Sequence, residues 1–206
     1  KTVSLDSSKV VNVTPRYAKL YSSDRSEVIG WENIELISDR KFSIWLDEFK
    51  KCKDQFPDGV LIASIMEEYH RDAWVEIVER CEAAGVDAFE LNFSCPHGLP
   101  ERKMGSAMGE NPEILAEVSG WVNAVATKPV WAKMTPNVTD VASIAKAAED
   151  AGADAVSLVN TFLAMSIDVE TRRPKITNVL GGLSGPAIRP IAVRMVWECY
   201  QLVKIP

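Results

Sequence analysis

The sequence has few of the residues from which metal centres are built, and their spacing does not suit one. It contains two histidines, His70 and His97, and four cysteines, none of which form a Cys-x-x-Cys pair. Zinc and iron–sulfur sites usually need such closely spaced ligands, so this chain alone predicts no metal centre. The composition is not that of a small, disulfide-linked secreted protein, and we therefore expect reduced thiols in a cytosol-like compartment.

Basic charge and long apolar runs are also scarce. The chain has 23 Lys and Arg against 29 Asp and Glu, a net charge of −6. Without a basic surplus to neutralise phosphates, a nucleic-acid or anionic-membrane binder is not expected. No apolar run reaches the about 18 residues of a membrane-spanning helix. The first six residues do not have the build of a signal peptide. The chain also lacks a Gly-x-Gly-x-x-Gly turn, so a dinucleotide-binding fingerprint is not predicted.

What the sequence does contain, after its first 40 residues, is an alternation of helix and strand patterns. Apolar residues three and four apart predict helices, such as the stripe Phe42, Trp45 and Phe49 and the later stripe that runs from Ile188 to Cys199. Short apolar runs predict four strands, at residues 60–65, 88–93, 129–134 and 155–159. Asn111 followed by proline marks one helix start, and Thr139 is expected to cap another.

The alternation predicts an α/β fold with a parallel sheet. Two segments repeat, since Ala-Gly-Val-Asp-Ala at 84–88 and Ala-Gly-Ala-Asp-Ala at 151–155 each lead into a strand that ends near an asparagine. We expect a (β/α)8 TIM barrel rather than a doubly wound sheet. Because a full barrel takes eight strands and about 250 residues, we expect residues 1–206 to form one partial barrel domain that is incomplete at both ends.

Polar residues follow three of the predicted strands. The carboxyl ends of parallel strands form the site edge in barrels and open sheets alike, so these residues should lie close together. Carboxamides both donate and accept hydrogen bonds, a lysine suits a group that gains negative charge, and a thiol can transfer a proton near neutral pH. The pattern predicts a pocket for a planar, amide-rich ligand. The residues are Asn92, Ser94, Cys95, Lys133, Asn137, Asn160 and Thr161.

Plainer interpretations of these residues stay open at this point. Asn92 and Asn160 are also suited to cap the segments that follow them. Cys95 could be a buried, inert thiol, which is the commoner state of cysteine. His97 is close enough in sequence to tune the Cys95 proton, but a role in stabilising the loop is equally consistent with its position.

Several segments resemble the FMN-binding barrel domain of dihydropyrimidine dehydrogenases. The resemblance covers residues 1 to about 160, and its most specific part is the loop Asn-Phe-Ser-Cys-Pro-His-Gly at 92–98, continued at 100–105. Residues 1–6, 33–38 and 132–137 are similar to the same family. The last third differs, because residues 166–174 and 181–188 are more similar to class 1 dihydroorotate dehydrogenases, which share this FMN barrel.

The resemblance implies a reaction and a set of site residues. FMN would pass a hydride to C6 of uracil or thymine, and Cys95 would protonate C5 as general acid. The alternative is the oxidation of dihydroorotate to orotate, with the same thiol as base. If the roles of the matching family residues apply here, the residues expected to bind the pyrimidine are Asn33, Asn92, Asn160 and Thr161. Those expected to contact the flavin are Lys1, Glu35, Ser94, Lys133 and Gly185.

The same resemblance implies partners outside this sequence. Members of the family draw electrons from NAD(P)H through FAD and iron–sulfur clusters, and this chain has no motif for any of them. We therefore expect these groups on additional sequence or on a partner chain, in an oligomer located in the cytoplasm or, for a plant protein, in the plastid stroma. A third interpretation is a partial barrel without catalytic activity.

Overall fold

A computed structural model of the chain describes residues 1–8, 13–95 and 103–206. These residues contain two four-stranded sheets, one parallel and one antiparallel, a small hairpin, six α-helices and a short 3-10 helix. The strands are β1 (Tyr17–Tyr21), β2 (Val28–Asn33), β3 (Ile62–Ile65), β4 (Ala88–Asn92), β5 (Val130–Lys133), β6 (Ala155–Ser157), β7 (Phe162–Ala164), β8 (Ile167–Asp168), β9 (Arg173–Pro174) and β10 (Gly181–Ser184). The helices are α1 (Phe42–Gln55), α2 (Arg71–Ala83), α3 (Ser106–Gly109), α4 (Pro112–Asn123), α5 (Val141–Asp150) and α6 (Arg189–Leu202).

The parallel sheet has the strand order β3-β4-β5-β6, as expected from four consecutive strand–helix units. Its outer face packs against the helices around a core that includes Trp74, Phe89 and Leu115, all of them fully buried. Both faces of β4 are covered, and its sequence, Ala-Phe-Glu-Leu-Asn, places Glu90 and Asn92 on one face and the apolar Phe89 and Leu91 on the other. The α/β class is confirmed, and within the described residues the sheet is open rather than a closed barrel.

The repeated Ala-Gly-x-Asp-Ala segment has a structural explanation. The carboxylate of Asp87 accepts a hydrogen bond of 2.7 Å from the backbone N–H of Leu61, just before β3, and the N–H of Asp87 donates to the Leu61 carbonyl. Asp154 forms the same pair of bonds with Val130 at the start of β5. Each repeat therefore ties the start of one strand to the start of its parallel neighbour, and so sets the register of the sheet.

Both chain ends lie against the parallel sheet. Val3 forms a parallel bridge with Ile65 on the outer side of β3. At the other edge, the N–H of Val156 on β6 donates a hydrogen bond of 2.9 Å to the carbonyl of Pro206. Backbone at each end of the chain thus continues the hydrogen bonding of the sheet by a residue or two.

The antiparallel sheet was not predicted from the sequence. Its strand order is β1-β2-β10-β7, and Asn33 at the end of β2 is in register with Tyr17 on one side and Gly182 on the other. The separate hairpin pairs β8 with β9. The four-stranded antiparallel sheet brings the end of β2 to the carboxyl edge of the parallel sheet.

Details of some predicted elements need correction. Thr139 does not cap α5; the cap is Asp140, whose carboxylate accepts from the N–H of Ser143 at 3.1 Å, because the helix begins one residue later than expected. The last helix begins at Arg189, and Ile188 instead ends a short 3-10 helix. The strands predicted at 60–65 and 155–159 are shorter, β3 and β6. The predicted cap at Asn111 is confirmed by a bond of 3.0 Å from the Ile114 N–H.

No helix in the described parts of the chain combines the length and apolar character needed to span a bilayer.

Candidate active site

A pocket of about 210 Å³ opens at the carboxyl edge of the parallel sheet. It lies where the ends of β4, β5 and β6 meet the first residues of the chain and the segment that follows β2. Seven of the eleven predicted site residues line it, Asn137 is not among them, and Thr2 and Leu36 are additions. The lining is Lys1, Thr2, Asn33, Glu35, Leu36, Asn92, Lys133, Asn160 and Thr161.

A row of hydrogen-bonded side chains crosses the base of this pocket. The Asn92 Nδ2 donates to the Thr2 Oγ1 at 2.9 Å, and that hydroxyl also lies 2.9 Å from the Ser64 Oγ. On its other side, the Asn92 Oδ1 accepts from the Ser94 Oγ at 2.7 Å, and the same Ser94 oxygen accepts from the Asn160 Nδ2 at 2.8 Å. The row connects the ends of β3, β4 and β6, and Ser94 at its centre is fully buried.

The three pocket asparagines share one orientation. The Oδ1 of Asn33 accepts from the N–H of Glu35 at 3.1 Å, and the Oδ1 of Asn92 accepts from the N–H of Ser94 at 3.1 Å. The Oδ1 of Asn160 accepts from the N–H of the next residue at 2.8 Å. The capping role considered for Asn92 and Asn160 is thus part of the structure. Each Nδ2 donates one hydrogen bond to the described residues and has a second hydrogen, so the carboxamides suit ligand carbonyl oxygens.

An ion pair stands at one side of the pocket. The Lys1 ammonium contacts the carboxylate of Glu35 and donates to the Leu36 carbonyl at 3.2 Å. The Tyr17 hydroxyl donates to the same carboxylate, and the Arg16 guanidinium lies 3.4 Å from it. The hydrogen bond from Lys1, followed by that from Tyr17, lowers the pKa of Glu35, and the bond to Glu35 in turn raises the pKa of Tyr17. Glu35 is therefore a fixed negative charge at neutral pH.

A second ion pair lies within the sheet itself. The Nζ of Lys133 on β5 donates to the Oε1 of Glu90 on β4 at 3.3 Å, with side-chain exposures of 30% and 19%. Residues 90 and 92 are two apart on one strand and share a face, and Asn92 is in register with Lys133. Glu90 thus lies one step deeper than the pocket lining, below the lysine.

Cys95 lies just beyond this pocket lining. It is buried against Ile37, Met66 and Met104, with 6% of the residue exposed. Gly105, with a φ of 58°, approaches the carbonyl of Cys95 so closely that a Cβ would lie 2.5 Å from the oxygen. The N–H of the following Ser106 donates to that carbonyl at 3.1 Å. This contact holds the backbone at Cys95 in place. His97 and the rest of residues 96–102 lie outside the described residues.

Two glycines of the sequence segment 181–185 have different positions. Gly182 on β10 faces Thr161, since a Cβ at residue 182 would lie 2.1 Å from the Thr161 Oγ1. Gly185, expected near the flavin, follows β10 directly and lies beside Gly30 on β2 rather than in the pocket lining. The close approach of β10 is what places Thr161 at the pocket.

A larger groove of about 740 Å³ lies at the far end of the antiparallel sheet, between residues 19–29 and 165–175. Its lining, as far as the structure describes the chain, mixes acidic, basic and apolar side chains without a carboxamide. Size alone would favour this groove, but the smaller pocket holds the convergent polar groups and is the better candidate for chemistry. Within the described residues, no group of three or more His, Cys, Asp or Glu side chains could hold a metal ion.

Sequence reasoning missed three residues of this network, namely Thr2, Ser64 and Glu90. Thr2 is bonded to Asn92 across 90 positions of the chain, a relation that no local pattern contains. Glu90 did carry a signal, since a glutamate inside a buried strand needs a partner and Lys133 stands in the neighbouring predicted strand.

Comparison with known proteins is consistent with this geometry. Residues 3–206 match the family model described as dihydroorotate dehydrogenase. The chain belongs to the dihydroorotate dehydrogenase family. This match confirms the predicted resemblance to the FMN-barrel dehydrogenases, which are oxidoreductases of the TIM-barrel type.

Among individual members of the dihydroorotate dehydrogenase family, one similar protein is the chloroplastic dihydropyrimidine dehydrogenase (NADP(+)) of Arabidopsis thaliana. It is 51% identical over 99% of the chain, which includes the last third. The catalytic subunit of dihydroorotate dehydrogenase B (NAD(+)) from Geobacillus kaustophilus is 41% identical over 95% of the chain. That from Caldicellulosiruptor saccharolyticus is 50% identical over 67%. The chain spans 50%, 59% and 45% of these relatives, respectively.

Proposed function

We propose that the chain forms one side of a flavin and pyrimidine site in an enzyme that reduces uracil or thymine to the 5,6-dihydropyrimidine. The observation that carries this proposal is the convergence of three carboxamide nitrogens and two lysines on one pocket. The similarity to the plant dihydropyrimidine dehydrogenase over nearly the whole chain supports the same assignment.

The donor set fits the ring portion of FMN. Amide and ammonium hydrogens match the carbonyl oxygens of both a flavin and a pyrimidine ring. The pocket of about 210 Å³ is smaller than the roughly 300–1,000 Å³ of a typical small-molecule site, so the described residues supply only part of the binding surface. When bound, FMN would exchange a hydride with C6 of the pyrimidine.

This chain's own residues would bind and orient the pyrimidine and the cofactor, and would protonate the pyrimidine. Asn33, Asn92, Asn160 and Thr161 would hold the pyrimidine, with the asparagine nitrogens directed at its carbonyl oxygens. Lys1, Glu35 and Lys133 would contact the cofactor, Ser94 would support it by fixing two asparagines, and Gly185 would contact it from outside the lining of this pocket. The Sγ of Cys95 would donate its proton to C5 as the hydride arrives at C6, so that the C5–C6 double bond becomes a single bond.

Dihydroorotate oxidation is the second candidate function. One catalytic subunit of dihydroorotate dehydrogenase B is 50% identical to the chain, although over a shorter stretch. This identity supports dihydroorotate oxidation as the alternative. Here Cys95 would remove the proton from C5, and the lysines would offer a counter-charge to the orotate carboxylate. The two candidates thus use the same residues in opposite directions.

The proposed electron supply lies on other sequence. NAD(P)H, FAD and iron–sulfur clusters would be bound by further domains or a partner subunit, and the active form would be an oligomer. We place the enzyme in the cytoplasm, or in the plastid stroma if its source is a plant, as the name of the Arabidopsis relative suggests.

Flavin reoxidation tests the proposal directly. The purified chain is loaded with FMN, reduced without oxygen, and mixed with uracil or with orotate while the visible spectrum is recorded. Reoxidation by uracil supports the first function, and reoxidation by orotate alone supports the second. Failure to take up FMN, or uptake without reoxidation by either compound, contradicts both for this chain and favours the partial barrel without activity.

A further inference from the structure

We propose that Glu90 is a positioning residue that holds the Lys133 ammonium at the pocket and compensates its charge, and that it thereby sets how strongly the site favours a negatively charged ligand. This inference rests on the proposed flavin site. The juxtaposition that carries it is the 3.3 Å bond between the Glu90 Oε1 and the Lys133 Nζ.

The position of Glu90 is unusual for a glutamate. It stands in the middle of β4, in register with Ser64 on β3 and Trp131 on β5, and only 19% of its side chain is exposed. Burial of a carboxylate is costly unless the charge is paired. The structure gives it one ion pair among the described residues, with Lys133, so the two groups constrain each other.

The charges at the pocket support a tuning role. Two ammonium groups line it, Lys1 and Lys133, and each contacts a different carboxylate. Glu35 has three partners, because Arg16 and Tyr17 also contact it. Among the described residues, Glu90 is the carboxylate that pairs with Lys133, from a position below the lining. Removing its charge would leave the Lys133 ammonium without this counter-charge, which favours a ligand that gains negative charge.

The variant Glu90→Gln keeps the shape of the side chain and removes the charge. We expect the variant to bind reduced FMN about tenfold more tightly relative to oxidised FMN than the wild type does. A tenfold change in this ratio corresponds to roughly 30 mV for a two-electron couple, so the midpoint potential should rise by that amount. Glu90→Asp, which withdraws the carboxylate by one methylene, should shift the ratio about threefold in the same direction. If Glu90→Gln does not fold, Glu90→Asp is the variant on which the potential is measured.

A double-mutant cycle tests whether Glu90 acts through Lys133. In the background Lys133→Met, the substitution Glu90→Gln should shift the midpoint potential clearly less than it does in the wild type, because no ammonium is left for Glu90 to hold in place. Glu76→Gln is the matched control, because Glu76 forms an ion pair of 2.7 Å with Arg80 on the outer helix α2. It removes the same charge at a distance from the pocket and should not change the potential.

The outcomes separate the inference from the proposed function. If the wild type takes up FMN but Glu90→Gln has an unaltered potential, or shifts it equally in the Lys133→Met background, the role of Glu90 is overturned and the flavin site stands. If the wild type takes up no FMN, the proposed function fails for this chain, and the inference fails with it.

Discussion

Ser94 and Asn160, 66 positions apart in the chain, are joined by a hydrogen bond of 2.8 Å from the Asn160 Nδ2 to the Ser94 Oγ. Because Ser94 also donates to the Asn92 Oδ1, its hydroxyl fixes carboxamides on two strand ends at once. Ser94 is completely buried, so water cannot replace the bonds without rearrangement. The geometry of the pocket therefore depends on one hydroxyl group that does not itself line it.

We expect Ser94→Ala to lower the free energy of unfolding by about 1–3 kcal/mol, because a buried polar group is left without its partner. Urea denaturation measures the change. Ser119→Ala is the matched control, since Ser119 is equally buried on α4 but its hydroxyl has no hydrogen-bond partner among the described residues. Its loss should be neutral or slightly stabilising. Equal losses in both variants would show that the Ser94 bonds contribute nothing specific.

We expect Gly182→Ala to destabilise the fold and displace Thr161. The added Cβ would lie 2.1 Å from the Thr161 Oγ1 and 2.7 Å from its Cβ, and such overpacking costs about 1–3 kcal/mol. Gly120→Ala on α4 is the control, because a Cβ there meets no atom of the described residues within 4 Å. Alanine inside a helix should stabilise it by about 0.5–1 kcal/mol. Thermal unfolding of the two variants should thus shift in opposite directions, and a shared direction would contradict the close contact.

The sequence predicted the parallel sheet better than the antiparallel one for a physical reason. In the parallel sheet β4 is covered on both faces, and the short apolar runs of β3 to β6 stand out against the helical stripes around them. In the antiparallel sheet, β10 reads Gly-Gly-Leu-Ser, and its neighbour β2 exposes Trp31 to solvent. Such short, partly exposed strands are stabilised by pairing with distant segments, and this pairing leaves no clear periodicity in the sequence.

The residues of the candidate site also fall into those that the sequence could predict and those that it could not. Asn92, Lys133 and Asn160 were predictable from the residues, because the carboxyl ends of parallel strands meet at one edge. Asn33 lies in a segment that periodicity could not place, and Lys1 came only from family resemblance, since their positions depend on the antiparallel sheet and on the bridge at Val3. Hydrogen bonds such as those that link Thr2 to Asn92 join residues far apart in the chain, and sequence reasoning had no means to find them.

We expect Cys95→Ala to slow substrate-dependent flavin reoxidation by about 10²–10⁴-fold, the usual contribution of a general acid, while FMN affinity changes little. Stopped-flow absorbance measures the rate, and a flavin titration measures the affinity. Cys81 and Cys199 cannot substitute, because burial raises their pKa to about 12 and about 11 and they lie in the apolar core. Cys52→Ala, on the outer helix α1, is the control and should retain full activity. Retained activity in Cys95→Ala would remove the thiol from the proposed mechanism.

The last prediction concerns acid stability and the repeated aspartate. Hydrogen bonding from the Leu61 N–H, followed by the bond from Lys53, lowers the pKa of Asp87 below its ordinary value of 3.8. A carboxyl group whose pKa is lower in the folded state stabilises the fold above its unfolded pKa, and this stabilisation is lost as the pH falls through the folded value. Asp87→Asn should therefore be less stable than the wild type at pH 7.

The two stability curves should approach each other as the pH falls below about 4, because the wild type then loses the contribution that the variant lacks. Urea denaturation at a series of pH values between 7 and 3 measures both curves. Asp54→Asn serves as the control, since Asp54 is exposed on α1 and its substitution should leave a curve parallel to that of the wild type. A constant difference between wild type and Asp87→Asn across this range would mean that the bond to Leu61 does not depend on the charge of the carboxylate.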